Sequence, residues 1–119
     1  MGCEAVMFEK FFRKKPNEKA IRKFWKDFEE RSDLYMNILE NQAEDGDDYL
    51  WMMSLVRTSL KPCVLDTTVG CDFRFDRNRD PMRFVFLHMN DAYLRAVGEK
   101  MKEFYPQSLA EKIEFAVEE

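Results

Sequence analysis

With 119 residues and 45% hydrophobic content, the chain has room for one domain around one continuous core. A net charge of −4 and a pI near 5.2 exclude nucleic-acid binding by whole-domain electrostatics, which needs a concentrated basic surface. No apolar run approaches the roughly 18 residues of a membrane-spanning helix. Cys3, Cys63 and Cys71 are odd in number and lack C-x-x-C spacing, and the N-terminus has no apolar signal core, so free thiols in the cytoplasm are expected.

Charge is unevenly spread. Phe8 to Lys23 holds seven Lys/Arg against two Glu, and Asp27 to Asp48 holds nine Asp/Glu against one Arg. Such clusters form solvated helix faces, and they also orient a protein toward a charged partner.

Met7, Phe8, Phe11 and Phe12 are spaced for a short amphipathic helix that Pro16 ends, leaving residues 1–16 as an N-terminal extension. Asn17 then caps a helix of about six turns whose apolar face is Ile21, Phe24, Trp25, Phe28, Ser32, Tyr35 and Leu39. The acidic run Asn41 to Asp48, with Gly46, breaks it. Tyr49, Met53, Val56 and Leu60 mark a second helix ending before Pro62, packed antiparallel to the first.

The period then falls from 3.6 to 2. Cys71, Phe73 and Phe75 alternate with Asp72, Arg74 and Asp76, predicting a strand with one buried and one wet face. Upstream, Cys63, Leu65 and Thr67 alternate likewise, with Thr68-Val69-Gly70 as a hairpin loop. Downstream, Asn78 to Pro81 is a turn before a doubly apolar strand from Met82 to Met89. Asn90 caps a helix carrying Tyr93, Leu94, Val97, Met101 and Phe104. Leu109, Ile113 and Val117 fit a final helix, but β-branched and aromatic residues favour a strand over Lys112 to Glu118, parallel to the 82–89 strand. The expected fold is α+β in the order α(α)αβββαβ, an antiparallel three-strand meander plus a C-terminal strand, with helices mainly on one face of the sheet.

The segment Phe24-Trp25-Lys26-Asp27-Phe28, with the strand pair and the Pro106 to Val117 tail, resembles small uncharacterised bacterial proteins over residues 20–118. The resemblance implies no activity; it favours a bacterial cytosolic origin and the strand reading of the tail.

The turn at 78–81 sets Arg77 opposite Met82, which places Phe75 opposite Phe84, Phe73 opposite Phe86, and Cys71 opposite His88, the single histidine. A thiol beside an imidazole is the sharpest catalytic arrangement available, although the pair falls on the core side, where cysteine acts as a small hydrophobe. On the wet face Asp76 opposes Arg83, and Asp66 opposes Asp72 with Arg74 one rung along. That carboxylate pair is read first as part of an ion-pair lattice and second as an acid/base or cation site. Cys63 falls opposite Phe75, about 13 Å along the strand from Cys71 and beyond disulfide reach.

Glu44 to Asp48 lacks the order of an EF-hand loop, and neither a Gly-rich phosphate loop nor zinc spacing is present, so no cofactor or metal is expected. Phe8, Phe11 and Phe12 beside Arg13-Lys14-Lys15 are read as docking on the domain's own core first, on a partner protein second and on an anionic membrane last; Val6 rules out a myristoylation signal. Phe24, Trp25, Phe28 and Trp51 are read as core aromatics, with a ligand pocket as the alternative. Val64, Val85 and Leu87, joined by Ala116, form an apolar strip on the wet face. The sequence therefore predicts a non-catalytic interaction domain of adaptor or immunity type, binding a protein partner or a second copy, and the alternative is a small enzyme using Cys71/His88 or Asp66/Asp72.

Overall fold

The computed structural model describes residues 15–67 and 69–119, so the helix expected over residues 7–15, including Phe8, Phe11 and Phe12, lies outside the described residues apart from Lys15. The fold is α+β, with the helices α1 (Glu18–Glu30), α2 (Ser32–Asn41), α3 (Asp47–Leu60) and α4 (Ala92–Glu103) and a sheet of β1 (Asp72–Asp76), β2 (Met82–Leu87) and β3 (Ile113–Glu118).

Asn17 caps α1 as its sequence suggests, its Oδ1 accepting from the Ala20 N–H at 3.1 Å. The long first helix is two. At Arg31 (φ −100°, ψ 4°) the chain leaves helical geometry for one residue, and the Ser32 hydroxyl donates back to the Glu29 carbonyl at 2.8 Å. Serine bonding back into a helix in this way bends it. α2 and α3 follow one another through a short link, with Asp47 and Asp48 in the first turn of α3, where they complement its dipole.

The expected strand from Cys63 to Thr67 does not form. Pro62 sits inside a short 3-10 turn, Lys61–Val64, that carries α3 onward. Proline is tolerated in a first turn because its missing N–H has no partner to lose there. Adjacent Cys63 and Val64 are both buried while Leu65 is 74% exposed, which breaks the alternation expected of that strand. The sheet is therefore a three-stranded mixed one rather than a meander: β1 pairs antiparallel with central β2, and β3 pairs parallel with β2.

The predicted rungs hold where strands exist, with Phe75 opposite Phe84, Phe73 opposite Phe86 and Asp76 opposite Arg83. β2 stops at Leu87, earlier than the expected Met89. Met89 (φ 50°) and Asn90 (φ 59°) turn the chain in left-handed geometry, and Asp91 takes the capping role expected of Asn90, its Oδ2 accepting from the Leu94 N–H at 2.9 Å.

Phe73, Phe75, Phe84, Phe86, Ile113, Phe115 and Val117 share one face of the sheet and join the core. Phe24, Trp25 and Phe28 of α1 lie against Phe84, and the Trp25 indole donates to the Met101 carbonyl of α4 at 2.9 Å. Arg77, leaving β1, donates to the Leu39 and Gln42 carbonyls and lies over the Tyr49 ring, closing the C-terminal end of α2.

α4 reaches the sheet at Gly98, where a Cβ would stand 2.6 Å from Val117 Cγ1 and 3.2 Å from Phe86 Cδ2. Alanine has the better helix propensity by about 1 kcal/mol, but overpacking a stiff β-branched side chain costs about 1–3 kcal/mol. Gly98→Ala is expected to lower stability in denaturant titrations, and Val117→Ala to relieve that loss in the double variant. Equal effects of Gly98→Ala in both backgrounds would show that the contact does not limit α4.

Candidate functional site

Neither pair of catalytic candidates forms a rung of the sheet. Pairing of β1 with β2 ends at Asp72 opposite Leu87, so Cys71 and His88 form no rung. His88 Nδ1 accepts from the Asn90 N–H at 3.0 Å, and the His88 N–H donates to the Glu118 carbonyl. Cys71 is partly buried against the core, and Arg57 of α3 donates to its carbonyl at 2.9 Å. Burial pushes the Cys71 thiol up to about 11 against a weaker opposing pull from Arg57; burial, reinforced by Cys71, pushes the Cys63 thiol up to about 12. Thiols so shifted are protonated at neutral pH and are poor nucleophiles. The predicted 13 Å separation of the two cysteines lapses with its strand; both thiols are free.

Asp66 belongs to no strand and has no rung opposite Asp72. Asp72 instead lies 3.9 Å from Arg57 Nη2. Among the described residues no group of three or more His, Cys, Asp or Glu is placed to hold a metal ion.

A charged lattice lies on the sheet face opposite the aromatics and spans all three strands; it holds the expected Arg74, Asp76 and Arg83 but is joined through Glu118, not through Asp72. Arg74 of β1 reaches Asp76 at 2.8 Å and, across β2, Glu118 of β3 at 2.5 Å. Arg83 of β2 reaches the same Glu118 at 3.3 Å, and Glu114 holds Arg79 at 3.0 Å. Pairs this exposed contribute about 0–1 kcal/mol each. Val85 lies in the column between Arg74 and Ala116 and is 0% exposed, although it belongs to the opposite face from the aromatic cluster. The apolar strip is thus closed at its centre, and Leu87 and Ala116 are only half-buried. Val64 is no part of it; it is buried in the core beside Cys63.

Among the described residues the most exposed large apolar side chains of a regular element lie elsewhere. α3 buries Tyr49, Met52, Val56 and Leu60, and leaves Leu50 56% and Trp51 52% exposed on its outward side. Trp51 is therefore not a core aromatic. Asp47 and Asp48 stand three or four residues before this pair, the spacing that makes helix neighbours, and exposed Glu44 and Asp45 precede them. The signal was present in the helix period: Trp51 is turned about 200° from Tyr49 at 100° per residue, well away from the stripe.

A surface cleft of about 510 Å³ opens beside Met36 and Met82, but its cations are already engaged, Lys112 with Asp33 at 2.9 Å and Arg79 with Glu114. No helix among the described residues is long and apolar enough to cross a membrane. No family model matches the sequence, and neither a curated protein nor a solved structure matches it significantly.

Two outcomes follow from the thiols. In the native protein Cys71 is expected to alkylate far more slowly at neutral pH than after denaturation; rapid native labelling that rises with pH through the neutral range would restore it as a nucleophile. Burial also raises all four tyrosines, Tyr35, Tyr49, Tyr93 and Tyr105. A folded pKa above the unfolded one means stability that is complete below the unfolded value and lost as pH climbs. The thermal midpoint should therefore hold between about pH 7 and 8 and fall above about pH 9, and a midpoint that keeps rising there would contradict the burial.

Proposed function

We propose that this chain is a non-catalytic cytosolic protein-interaction domain, of adaptor or immunity type, that binds a protein partner or a second copy. The observation that carries the reading is the outward face of α3, where Leu50 and Trp51 stand exposed beside acidic residues. A folded domain loses free energy by leaving two large apolar side chains together in water, and tryptophan is enriched where partners dock. The raised thiols, and the pairing of Asp72 with Leu87 in the sheet, remove support from the enzymatic alternative.

The helices are inferred to lie over the aromatic face of the sheet alone, which leaves the Arg74, Arg83 and Glu118 lattice as a second, polar surface with Leu87 at its margin. Capture from native cytosol with the wild-type chain, Trp51→Asp and Leu87→Asp tests the assignment. Trp51→Asp should deplete the captured partner by about tenfold or more at unchanged thermal stability, the scale of a docking residue, and Leu87→Asp should have the smaller effect. A monodisperse monomer that captures nothing, or a captured set indifferent to both substitutions, would overturn the reading.

A further inference from the structure

Whatever covers the α3 face has to match its chemistry. Residues 32–56, which make up α2, the link and most of α3, contain six Asp/Glu and no Lys, Arg or His. Asp47 and Asp48 border Leu50 and Trp51 directly, so the occupant needs an apolar stripe flanked by cations. The chain encodes such a segment. Residues 7–15, Met-Phe-Glu-Lys-Phe-Phe-Arg-Lys-Lys, set Phe8, Phe11 and Phe12 beside Lys10, Arg13, Lys14 and Lys15.

Reach decides which copy supplies it. Lys15 stands at the start of α1, whereas Leu50 and Trp51 lie in the first turns of α3. α1 meets the 3-10 turn Lys61–Val64, at the far end of α3 from Leu50 and Trp51, and Phe12 and Phe11 stand only three and four residues before Lys15, about 10–14 Å of fully extended chain. A second copy has no such restriction, and a reciprocal exchange closes as a two-fold dimer. Resting on the interaction reading above, we infer that α3 of one copy receives residues 7–15 of another, Phe11 and Phe12 packing on Leu50 and Trp51 while Arg13 and Lys14 face Asp47 and Asp48.

Sedimentation and tryptophan emission of the full chain, measured over a concentration series, test this directly, because Trp25 is buried and Trp51 is the exposed reporter. The wild type should pass from monomer to dimer with a blue shift of emission, and added salt should weaken the association. Trp51→Asp and Phe11→Asp should each be monomeric and folded. Mixed one to one, they should form a heterodimer, since each retains the surface the other lacks. Charge reversal at Arg13 and Lys14 should abolish the dimer, and reversal of Asp47 and Asp48 in the same chain should restore it. A monomer at all concentrations overturns self-docking; if Trp51-dependent capture of another protein persists in that case, the interaction reading stands alone. A dimer that survives Trp51→Asp, or a Trp51 emission shift on deleting residues 1–14 that is independent of concentration, also overturns it, the latter by assigning the segment to its own chain.

Discussion

The ring of Phe84 meets those of Phe24, Trp25 and Phe28 from α1, Phe73 and Phe75 from β1, and Phe115 from β3, with centroids 5.3–6.2 Å apart. Only a residue on the central strand can be reached from both neighbouring strands and from the helix above. Each aromatic contact adds about 0.5–1.5 kcal/mol beyond its buried area. The remaining elements join through this cluster: Trp25 extends it to Tyr105 and, by its indole N–H, to α4, and Arg57 of α3 lies over Phe73. Concentrating the apolar contacts on one face of a small sheet leaves the other face to be managed by polar groups.

That other face is handled by geometry more than by energy. Glu118 receives Arg74 from two strands away and Arg83 from the adjacent strand, so three strands are tied at one carboxylate above the Val85 column. Exposed pairs of this kind add little stability, but their cross-strand reach fixes which residues stand side by side. Among the described residues Arg83 Nε is the one buried side-chain polar atom without a hydrogen-bond partner, a local cost beside the ion pairs that its Nη atoms make to Glu114 and Glu118.

Legibility in the sequence followed how strongly each signal was constrained. The Phe73 and Phe75 rungs could be read because a short turn and strict alternation permit one register. The Cys63 to Thr67 strand was misread because five residues alternating in hydrophobicity also fit a tight turn after a helix, and only the immediate Pro62 hinted at which. On α3, Met52 and Met53 fit the same stripe one step apart, and assuming that tryptophan is buried drew Trp51 inward. The break at Arg31 was invisible to periodicity because backbone hydrogen bonds continue on either side of it, from Arg31 to Asp27 and from Tyr35 to Arg31. The Cys71 and His88 rung was extrapolated one step past the end of the paired strands.

The sheet order leaves β1 and β3 as its outer strands, and an outer strand offers backbone donors and acceptors to any extended chain that drifts alongside. Asp72, Arg74 and Asp76 punctuate one, Glu114 and Glu118 the other. A foreign strand adding to either border would have to set its own side chains beside a row of fixed charges already matched to one another. The same residues that lock the three strands in register thereby discourage a fourth, which keeps the sheet small and finite.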